Sequence, residues 1–178
     1  MHSLLRRQSG APSRLLLTWA HKFKGNQPIV DIGCGAGRNA IALARLGSKV
    51  VCVDRDLRRL RELAGNGQQE SLSEFLRPVC AELGPALWPF ARQSFSAMIC
   101  VHFLDVALLP FMRDSLEVGG YLYIETIGGQ GANHLDLPAV GTLHDCLAPD
   151  FSLEFYSERR VGPPAAGKCA AKLLARKA

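Results

Sequence analysis

The sequence predicts an α/β fold with a doubly wound, mostly parallel sheet and a C-terminal antiparallel hairpin, and three observations support it. Short apolar runs that end at glycine or aspartate are typical of buried strands. These runs alternate with segments whose apolar residues have helical spacing, an order that builds a parallel sheet with helices on both faces. The chain closes with two alternating segments around "GPPAAG", which is typical of a hairpin.

The first half of the chain contains three predicted strands, "PIVDIG", "KVVCVD" and the weaker "RPVCAEL". Ser13 is a candidate N-cap for a helix through "RLLLTWAHKF", so we assign residues 12–23 to the fold and residues 1–11 to a flexible start. A second helix, "RNAIALARLG", stops at Gly47, and a third begins at Asp56 with "DLRRLREL". Residues 65–76 fit either a loop or a helical turn.

The second half continues the same alternation up to a closing hairpin. "SFSAMICVHFL" and "YLYIET" are the fourth and fifth predicted strands, separated by a helix "LLPFMRDSLEVGG" that ends at paired glycines. The Gly-rich "IGGQGANHL" fits either a mobile lid or a plain loop, and a helix follows through "PAVGTLHDCLA". "FSLEFYSERRV" and "KCAAKLLARK" form the predicted hairpin, so residues 12–178 make one domain.

Composition places the chain among ordinary globular proteins, with 48% hydrophobic and 21% charged residues. No apolar run approaches the ~18 residues of a membrane span, so no membrane partner is expected. The six cysteines form no C-x-x-C pair, which favours a reducing, cytoplasmic location without a zinc site. The Arg- and Ser-rich start leaves a transit peptide as the alternative. A monomer and a homodimer both remain open.

The net charge of +5 is concentrated at the two ends of the chain. Residues 1–30 carry five basic residues and residues 159–178 carry six, and neither segment has an acidic residue. The segment between them holds ten basic and sixteen acidic residues. We interpret the basic ends as solvated termini, with an anion-binding surface as the alternative.

The most informative segment is "VDIGCGAGRNAIALARLGSKVVCVD", which runs from Val30 to Asp54. A glycine turn between a strand and a helix lets a ligand approach backbone N–H groups and the helix N-terminus. The segment lacks the lysine of a phosphate-binding loop, and Arg38 stands where a dinucleotide loop needs a small residue. Asp31, at the tip of the first strand, suits a ligand with a cationic amine better than a pyrophosphate.

The pattern D-x-G-x-G-x-G, then a helix, then a strand that ends in Asp54, resembles the class I S-adenosylmethionine-dependent methyltransferases. The resemblance covers about residues 28–176 and implies a Rossmann-like, seven-stranded sheet with S-adenosylmethionine as the cofactor. It implies that the glycine loop holds the methionine part and that Asp54 binds the ribose hydroxyls. Glu82, after the third strand, takes the place of the acid that accepts from the adenine amino group. The implied cofactor-binding residues are Asp31, Gly33, Cys34, Gly35, Gly37, Asp54, Arg55, Glu82 and Val101.

Acceptor-side candidates lie where the fourth and fifth strands end, beside the predicted cofactor crevice. His102 is the candidate base or acceptor contact, with a packed histidine as the alternative. Asp105 is expected either to pair with His102 or to cap the next helix. Glu125 and Thr126 either face the acceptor or cap the strand end.

We expect no metal ion, although four residues between the fifth strand and the hairpin invite comparison with a ligand set. The spacing of His134, Asp136, His144 and Asp145 fits no standard metal site, and a helix would not bring all four to one face. Methyl transfer is an in-line displacement at a cationic sulfonium whose charge disperses, so little catalysis by charged groups is required.

The acceptor predicted from the sequence is a small molecule. The place after the fourth strand reads "VHFLD" rather than the [DN]-P-P-[FY] motif of enzymes that methylate nucleic-acid amino groups. The segment from "IETIGG" to "SERR" resembles the compact small-molecule branch, which includes tellurite-resistance-type and thiopurine-type methyltransferases. Two alternatives stay open: an RNA or protein methyltransferase that uses the basic ends, and a cofactor-binding module without transferase activity.

Overall fold

The computed structural model describes residues 10–126 and 137–178, which form one seven-stranded sheet with helices on both faces. The strands are β1 (Ile29–Ile32), β2 (Val50–Asp54), β3 (Leu76–Cys80), β4 (Phe95–Val101), β5 (Leu116–Glu125), β6 (Phe151–Val161) and β7 (Lys168–Lys177). Their order across the sheet is β3-β2-β1-β4-β5-β7-β6. Strands β1 to β5 are parallel, and β7 runs antiparallel to β5 and β6. The predicted fold class and hairpin are therefore confirmed.

Within the described residues, five α-helices cover the two faces of the sheet, and alternate strand residues point to each face. The helices are α1 (Arg14–Thr18), α2 (Arg38–Arg45), α3 (Leu57–Gln69), α4 (Leu109–Ser115) and α5 (Thr142–Leu147). One apolar cluster joins α1, α2 and α3 to the face that carries Ile29 and Ile99. The other cluster joins α4 and α5 to the face that carries Val30 and Met98. Burial of both faces explains why β1 and β4 are apolar along most of their length.

Local capping fixes where the early helices begin and end. The Ser13 side chain accepts a hydrogen bond from the Leu16 N–H at the start of α1, and a 3-10 turn over Ala20–Phe23 completes the predicted N-terminal helix. The Asp56 carboxylate caps α3 in the same way. Gly47, with a φ of +83°, follows the last turn of α2, as predicted.

Two predicted boundaries move in the structure. The ambiguous stretch after residue 65 is helical as far as Gln69, because the burial of Leu63 and Gly67 continues the apolar face of α3. The fourth helix ends at Ser115 rather than at the paired glycines. The correction has a packing cause: Leu116 already pairs with Phe95 in the sheet, so the glycines lie inside β5 next to a register shift.

The strand order creates a crevice at the carboxyl ends of β1 and β4. These two central strands are parallel neighbours, and the helices that follow them cover opposite faces of the sheet. Such a switch point is where open α/β sheets bind ligands. In the described part of the chain, no helix is long and apolar enough to span a membrane.

Candidate functional site

The glycine loop between β1 and α2 forms the floor of the crevice. Gly33, Gly35 and Gly37 all have positive φ values, of +67°, +58° and +80°. A Cβ atom on Gly33 would lie 2.7 Å from the Phe103 Cβ, and one on Gly37 would collide with Leu63. Both the backbone conformation and the close packing therefore require glycine at these two positions.

Asp31 lies beneath this loop with one carboxylate oxygen unsatisfied. The side chain is buried, and its Oδ2 atom has no hydrogen-bond partner among the described residues. Burial raises the pKa of Asp31 to about 7, against the opposing effects of the Ala40 backbone N–H and the Arg38 guanidinium. A buried carboxylate without a full set of partners is costly, so the position is suited to a cationic group of a ligand.

Asp54, at the end of β2, connects the glycine loop to α3. Its Oδ2 atom accepts a hydrogen bond from the Gly35 N–H at 2.7 Å, and its Oδ1 atom accepts one from the Asp56 N–H at 2.9 Å. The half-buried carboxylate also lines a cavity of about 450 Å³. Each carboxylate oxygen can accept more than one hydrogen bond, so Asp54 retains capacity for ligand hydroxyls.

Arg55 and Glu82 form the outer wall of the same cavity. They make an ion pair of 3.6 Å, with side chains that are 78% and 68% exposed. An ion pair that is so exposed to solvent contributes little to stability. A ligand can therefore displace it at small cost.

A second cavity, of about 700 Å³, adjoins the first and shares Gly33 and His102 with it. Cys34 and Val101 line this second cavity and are buried. Burial raises the pKa of the Cys34 thiol strongly, so the side chain is a neutral packing group rather than a nucleophile.

His102 stands at the boundary of the two cavities, just after β4. It has a left-handed φ of +62°, and its backbone N–H donates to the Glu125 carbonyl at 2.7 Å. Its Nδ1 atom lies 3.1 Å from Nη2 of Arg38. Burial and the Arg38 guanidinium lower the pKa of His102, so the imidazole is neutral at pH 7. Sequence reasoning missed the pairing with Arg38, since the two residues are 64 positions apart and no local pattern links them.

Glu125, at the end of β5, is engaged within the protein. Its Oε2 atom accepts from the Ser13 hydroxyl at 2.6 Å and from the Tyr123 hydroxyl at 2.8 Å. Its Oε1 atom lies 2.8 Å from Nζ of Lys172. Burial alone would raise the pKa of Glu125, but the hydrogen bonds from Lys172, Ser13 and Tyr123 hold it below its usual value.

Asp105 and Thr126 also have partners that belong to the fold. Asp105 accepts from the Ala107 N–H and caps the 3-10 turn that starts at Val106, which agrees with the capping alternative. The Thr126 hydroxyl accepts from the Ala171 N–H at 2.8 Å and so closes the edge between β5 and β7.

The four residues compared with a metal site are only partly described. His144 and Asp145 lie on α5, where their side chains approach each other at 3.1 Å in solvent. His134 and Asp136, with the Gly-rich segment "IGGQGANHL", lie outside the described residues. Within residues 10–126 and 137–178, no three candidate ligands come together.

Comparison with known proteins identifies the family. A sequence model of the methyltransferase domain family matches residues 29–120, which is just over half of the chain. The matched segment includes the glycine loop, and also Gly33 and His102, which line both cavities. The chain belongs to the methyltransferase domain family. This agrees with the resemblance to methyltransferases that the glycine loop and Asp54 suggest.

Curated relatives match the chain over limited lengths. A ribosomal protein L11 methyltransferase of Syntrophomonas wolfei is 26% identical over 104 residues, which is 58% of this chain and 34% of that protein. A ubiquinone biosynthesis O-methyltransferase of Xanthomonas campestris is 27% identical over 109 residues, which is 56% of this chain and 42% of that protein. The chain thus covers well under half of the length of these two relatives.

Solved structures show the same fold at low sequence identity. The MccD protein superposes with a TM-score of 0.70 at 12% identity, covering 95% of this chain and 100% of that one. Geranyl diphosphate C-methyltransferase from Streptomyces coelicolor superposes with a TM-score of 0.71 at 14% identity, covering 92% and 75%. These superpositions show that the chain shares its fold with both proteins.

The residues at the crevice fit S-adenosylmethionine by their chemistry. The unpartnered oxygen of buried Asp31 suits the ammonium of an amino acid, and Asp54 suits a pair of ribose hydroxyls. The two cavities share Gly33, Arg59 and His102 in their lining. The site can therefore accept a molecule that has a nucleoside at one end and an amino acid at the other.

Proposed function

We propose that this protein transfers a methyl group from S-adenosylmethionine to a small-molecule acceptor and belongs to the compact branch that includes tellurite-resistance-type and thiopurine-type methyltransferases. The observation that supports S-adenosylmethionine as the donor is the unpartnered Oδ2 atom of Asp31, in a cavity that His102 also lines. The order of Glu125, α5 and the β6–β7 hairpin after it supports the branch.

The partners of the basic side chains near the two ends of the chain favour a small acceptor over a nucleic acid. Lys22 pairs with Glu154 at 2.7 Å, and Lys172 pairs with Glu125. Lys177 donates to the backbone carbonyls of Arg113 and Leu116. Cations that are held by internal partners contribute less to phosphate binding than free ones, because a phosphate must first displace those partners.

In such a transfer the protein contributes mainly position and exclusion of water. S-adenosylmethionine supplies a methyl group on a cationic sulfonium, whose charge disperses as the methyl moves. Asp31 and Asp54 hold the two ends of the donor, and the tight packing of Phe103 against Gly33 leaves no room for a side chain between these ends. Neutral His102 lies where an acceptor would enter and can exchange a hydrogen bond with it.

A protein acceptor is the second candidate. Its support is the match to ribosomal protein L11 methyltransferases, whose name places the methyl group on a protein. The match covers 58% of this chain and 34% of the relative, so most of the relative lies outside it. We also propose a cytoplasmic location, because all six cysteines are free.

The donor assignment is tested by calorimetry with S-adenosylhomocysteine and with NAD. We expect S-adenosylhomocysteine to bind and NAD not to. Asp54→Asn should weaken S-adenosylhomocysteine about tenfold or more, because a neutral amide replaces a charge-assisted acceptor. Asp145→Asn, on the exposed face of α5, is the control and should bind as the wild type does. Binding of NAD without S-adenosylhomocysteine would overturn the proposal.

The acceptor is tested by release of S-adenosylhomocysteine in a screen. Thiols, metalloids, amines and hydroxyl compounds form one arm, and ribosomal protein and tRNA form the others. Turnover with a small compound supports the proposal, and turnover confined to the macromolecules overturns it. Donor binding with silence in every arm would instead identify a binding module.

A further inference from the structure

Arg38 connects the glycine loop to His102 across the second cavity. It is the first residue of α2, and its side chain lines the cavity together with Asp31 and His102. The Nη2 atom lies 3.1 Å from Nδ1 of His102, and the Nη1 atom donates to the Ala11 carbonyl at 3.4 Å. Arg38 therefore links His102 to the segment before α1, within a cavity that Asp31 also lines.

The contact with Arg38 determines the tautomer of His102. A guanidinium has only donors, so Nδ1 of His102 must accept with its lone pair. The proton of the neutral ring is then on Nε2, where it can be donated but where no further proton can be accepted. While Arg38 holds Nδ1, His102 is unable to act as a base through either nitrogen.

Arg38 differs in its pairing from the other three arginines at the two cavities. Arg55 pairs with Glu82, and both Arg58 and Arg59 approach Asp56. Arg38 forms no carboxylate ion pair with the described residues, and its two partners are a ring nitrogen and a carbonyl. A carboxylate that enters this cavity gains most by pairing with Arg38, because no competing acid must be displaced.

An amino acid ligand carries an ammonium and a carboxylate on the same carbon. Asp31 offers an acceptor for the ammonium, and Arg38 lines the same cavity. We propose that the carboxylate of the donor's methionine part draws Arg38 away from His102, so that donor binding releases Nδ1 and enables the imidazole to accept a proton. Arg38 is thus a positioning residue for His102, and this inference rests on the proposed function.

The charges that face His102 determine the direction in which its pKa should change when the donor binds. Arg38 on α2 and Lys172 on β7 oppose protonation of the ring, and Glu125 on β5 favours it. When a carboxylate neutralises Arg38, less positive charge opposes protonation of the ring, and the effect of Glu125 is stronger. The pKa of His102 should therefore rise when the donor binds. By linkage, protonation of His102 should strengthen donor binding to the same degree.

The test is a nitrogen-15 NMR titration of His102, assigned by comparison with His102→Gln. The free protein should show the Nε2–H tautomer. S-adenosylhomocysteine should raise the pKa of His102 and change the tautomer. 5′-Methylthioadenosine, which keeps the nucleoside and lacks the amino acid, should do neither.

Two variants separate the role of Arg38 from a general effect of charge. In Arg38→Ala, the pKa of His102 should already be raised without ligand and should change little on binding. S-adenosylhomocysteine should bind about tenfold more weakly to this variant, and 5′-methylthioadenosine should be weakened less than about twofold. Arg58→Ala removes a cation from the same cavity without touching His102, and should keep the ligand-induced change.

The outcomes distinguish this inference from the proposed function. Failure of S-adenosylhomocysteine to bind the wild type overturns the proposed function. Binding without a change in the pKa or tautomer of His102 overturns the coupling and leaves the proposed function intact. An equal change with 5′-methylthioadenosine also overturns it, since the nucleoside rather than the carboxylate would then move Arg38.

Discussion

At the scale of single residues, the buried charge of Asp31 favours ligand binding and lowers the stability of the ligand-free protein. Its folded pKa of about 7 lies above the ordinary value of 3.8, so the folded protein holds this proton more tightly than the unfolded chain does. Between those two pH values the unfolded state binds fewer protons at Asp31, and stability falls as pH rises. At neutral pH the ionised side chain therefore destabilises the ligand-free protein.

We expect Asp31→Asn to stabilise the ligand-free protein and to weaken donor binding. The amide keeps an acceptor for the Ala40 N–H and removes the cost of a buried charge, so the free energy of unfolding should increase by about 1 to 2 kcal/mol at pH 7. Urea unfolding measures this gain, which should shrink as the pH falls and disappear below about pH 3, where Asp31 is protonated in both states. A loss of stability at pH 7 would contradict the prediction.

The same variant isolates the contribution of Asp31 to binding. The ratio of wild-type to Asp31→Asn affinity for S-adenosylhomocysteine should fall as the pH drops below about 7, because protonated Asp31 no longer attracts an ammonium. Comparing the two proteins at each pH cancels the opposite contribution that is expected from His102. A ratio that does not change with pH would show that Asp31 does not bind a cationic group.

At the scale of elements, the short helix α1 is held in place by its N-cap residue. The Ser13 hydroxyl donates to Glu125, and the Ser13 N–H donates to Oδ1 of Asn39 at 3.0 Å. Five residues are too few for a helix that is stable alone, so α1 depends on these contacts and on buried Leu16. The sequence predicted the cap at Ser13, but its contact with Glu125 joins residues 112 positions apart, which no local pattern reveals.

We expect Ser13→Ala to destabilise the protein by about 2 kcal/mol, half from the lost cap and half from the lost donor to Glu125. Thr18→Ala is the matched control, since it removes a hydroxyl that only donates to the Arg14 carbonyl of the same helix. Urea unfolding measures both variants, and faster proteolysis within residues 10–18 should accompany Ser13→Ala. Equal losses in the two variants would show that the contact with Glu125 does not anchor α1.

The anchoring of α1 also has a pH dependence of known sign. The folded pKa of Glu125 lies below the ordinary value of 4.5, so this stabilisation is present above that pH and is lost as the pH falls through the folded pKa. In Ser13→Ala one of the donors that lowers the pKa is gone. The difference in stability between Ser13→Ala and the wild type should therefore shrink in acid.

At the scale of the whole molecule, the topology was predictable because it follows from local patterns. The alternation of apolar runs and amphipathic segments predicts a parallel sheet, and the "GPPAAG" turn predicts the hairpin. The places where prediction failed depend on contacts across the sheet. The start of β5 at Leu116 is set by Phe95 on the neighbouring strand, and the pairing of Arg38 with His102 requires β1 and β4 to be adjacent.

How strongly the basic residues attract RNA also depends on their tertiary contacts rather than on their position in the chain. The net charge of +5 suggests attraction to RNA, but cations near both ends have partners on neighbouring strands. Lys22 is held by Glu154, whose other oxygen accepts from the Tyr121 hydroxyl at 3.1 Å. These contacts lower the positive potential at the face shared by the 3-10 turn after α1, β5 and β6.

We therefore expect weak tRNA binding by the wild type, with a dissociation constant above about 10 μM at physiological salt and a shallow dependence on salt concentration. Glu154→Gln releases Lys22 from its ion pair, so this variant should bind tRNA more tightly and with a steeper salt dependence. Glu70→Gln, which frees Arg45 on α2, is the control for a change of one charge elsewhere. Titration of labelled tRNA over a range of salt concentrations measures all three. Tight wild-type binding whose logarithm falls steeply with the logarithm of salt would favour an RNA acceptor, because each phosphate contact releases about one counterion.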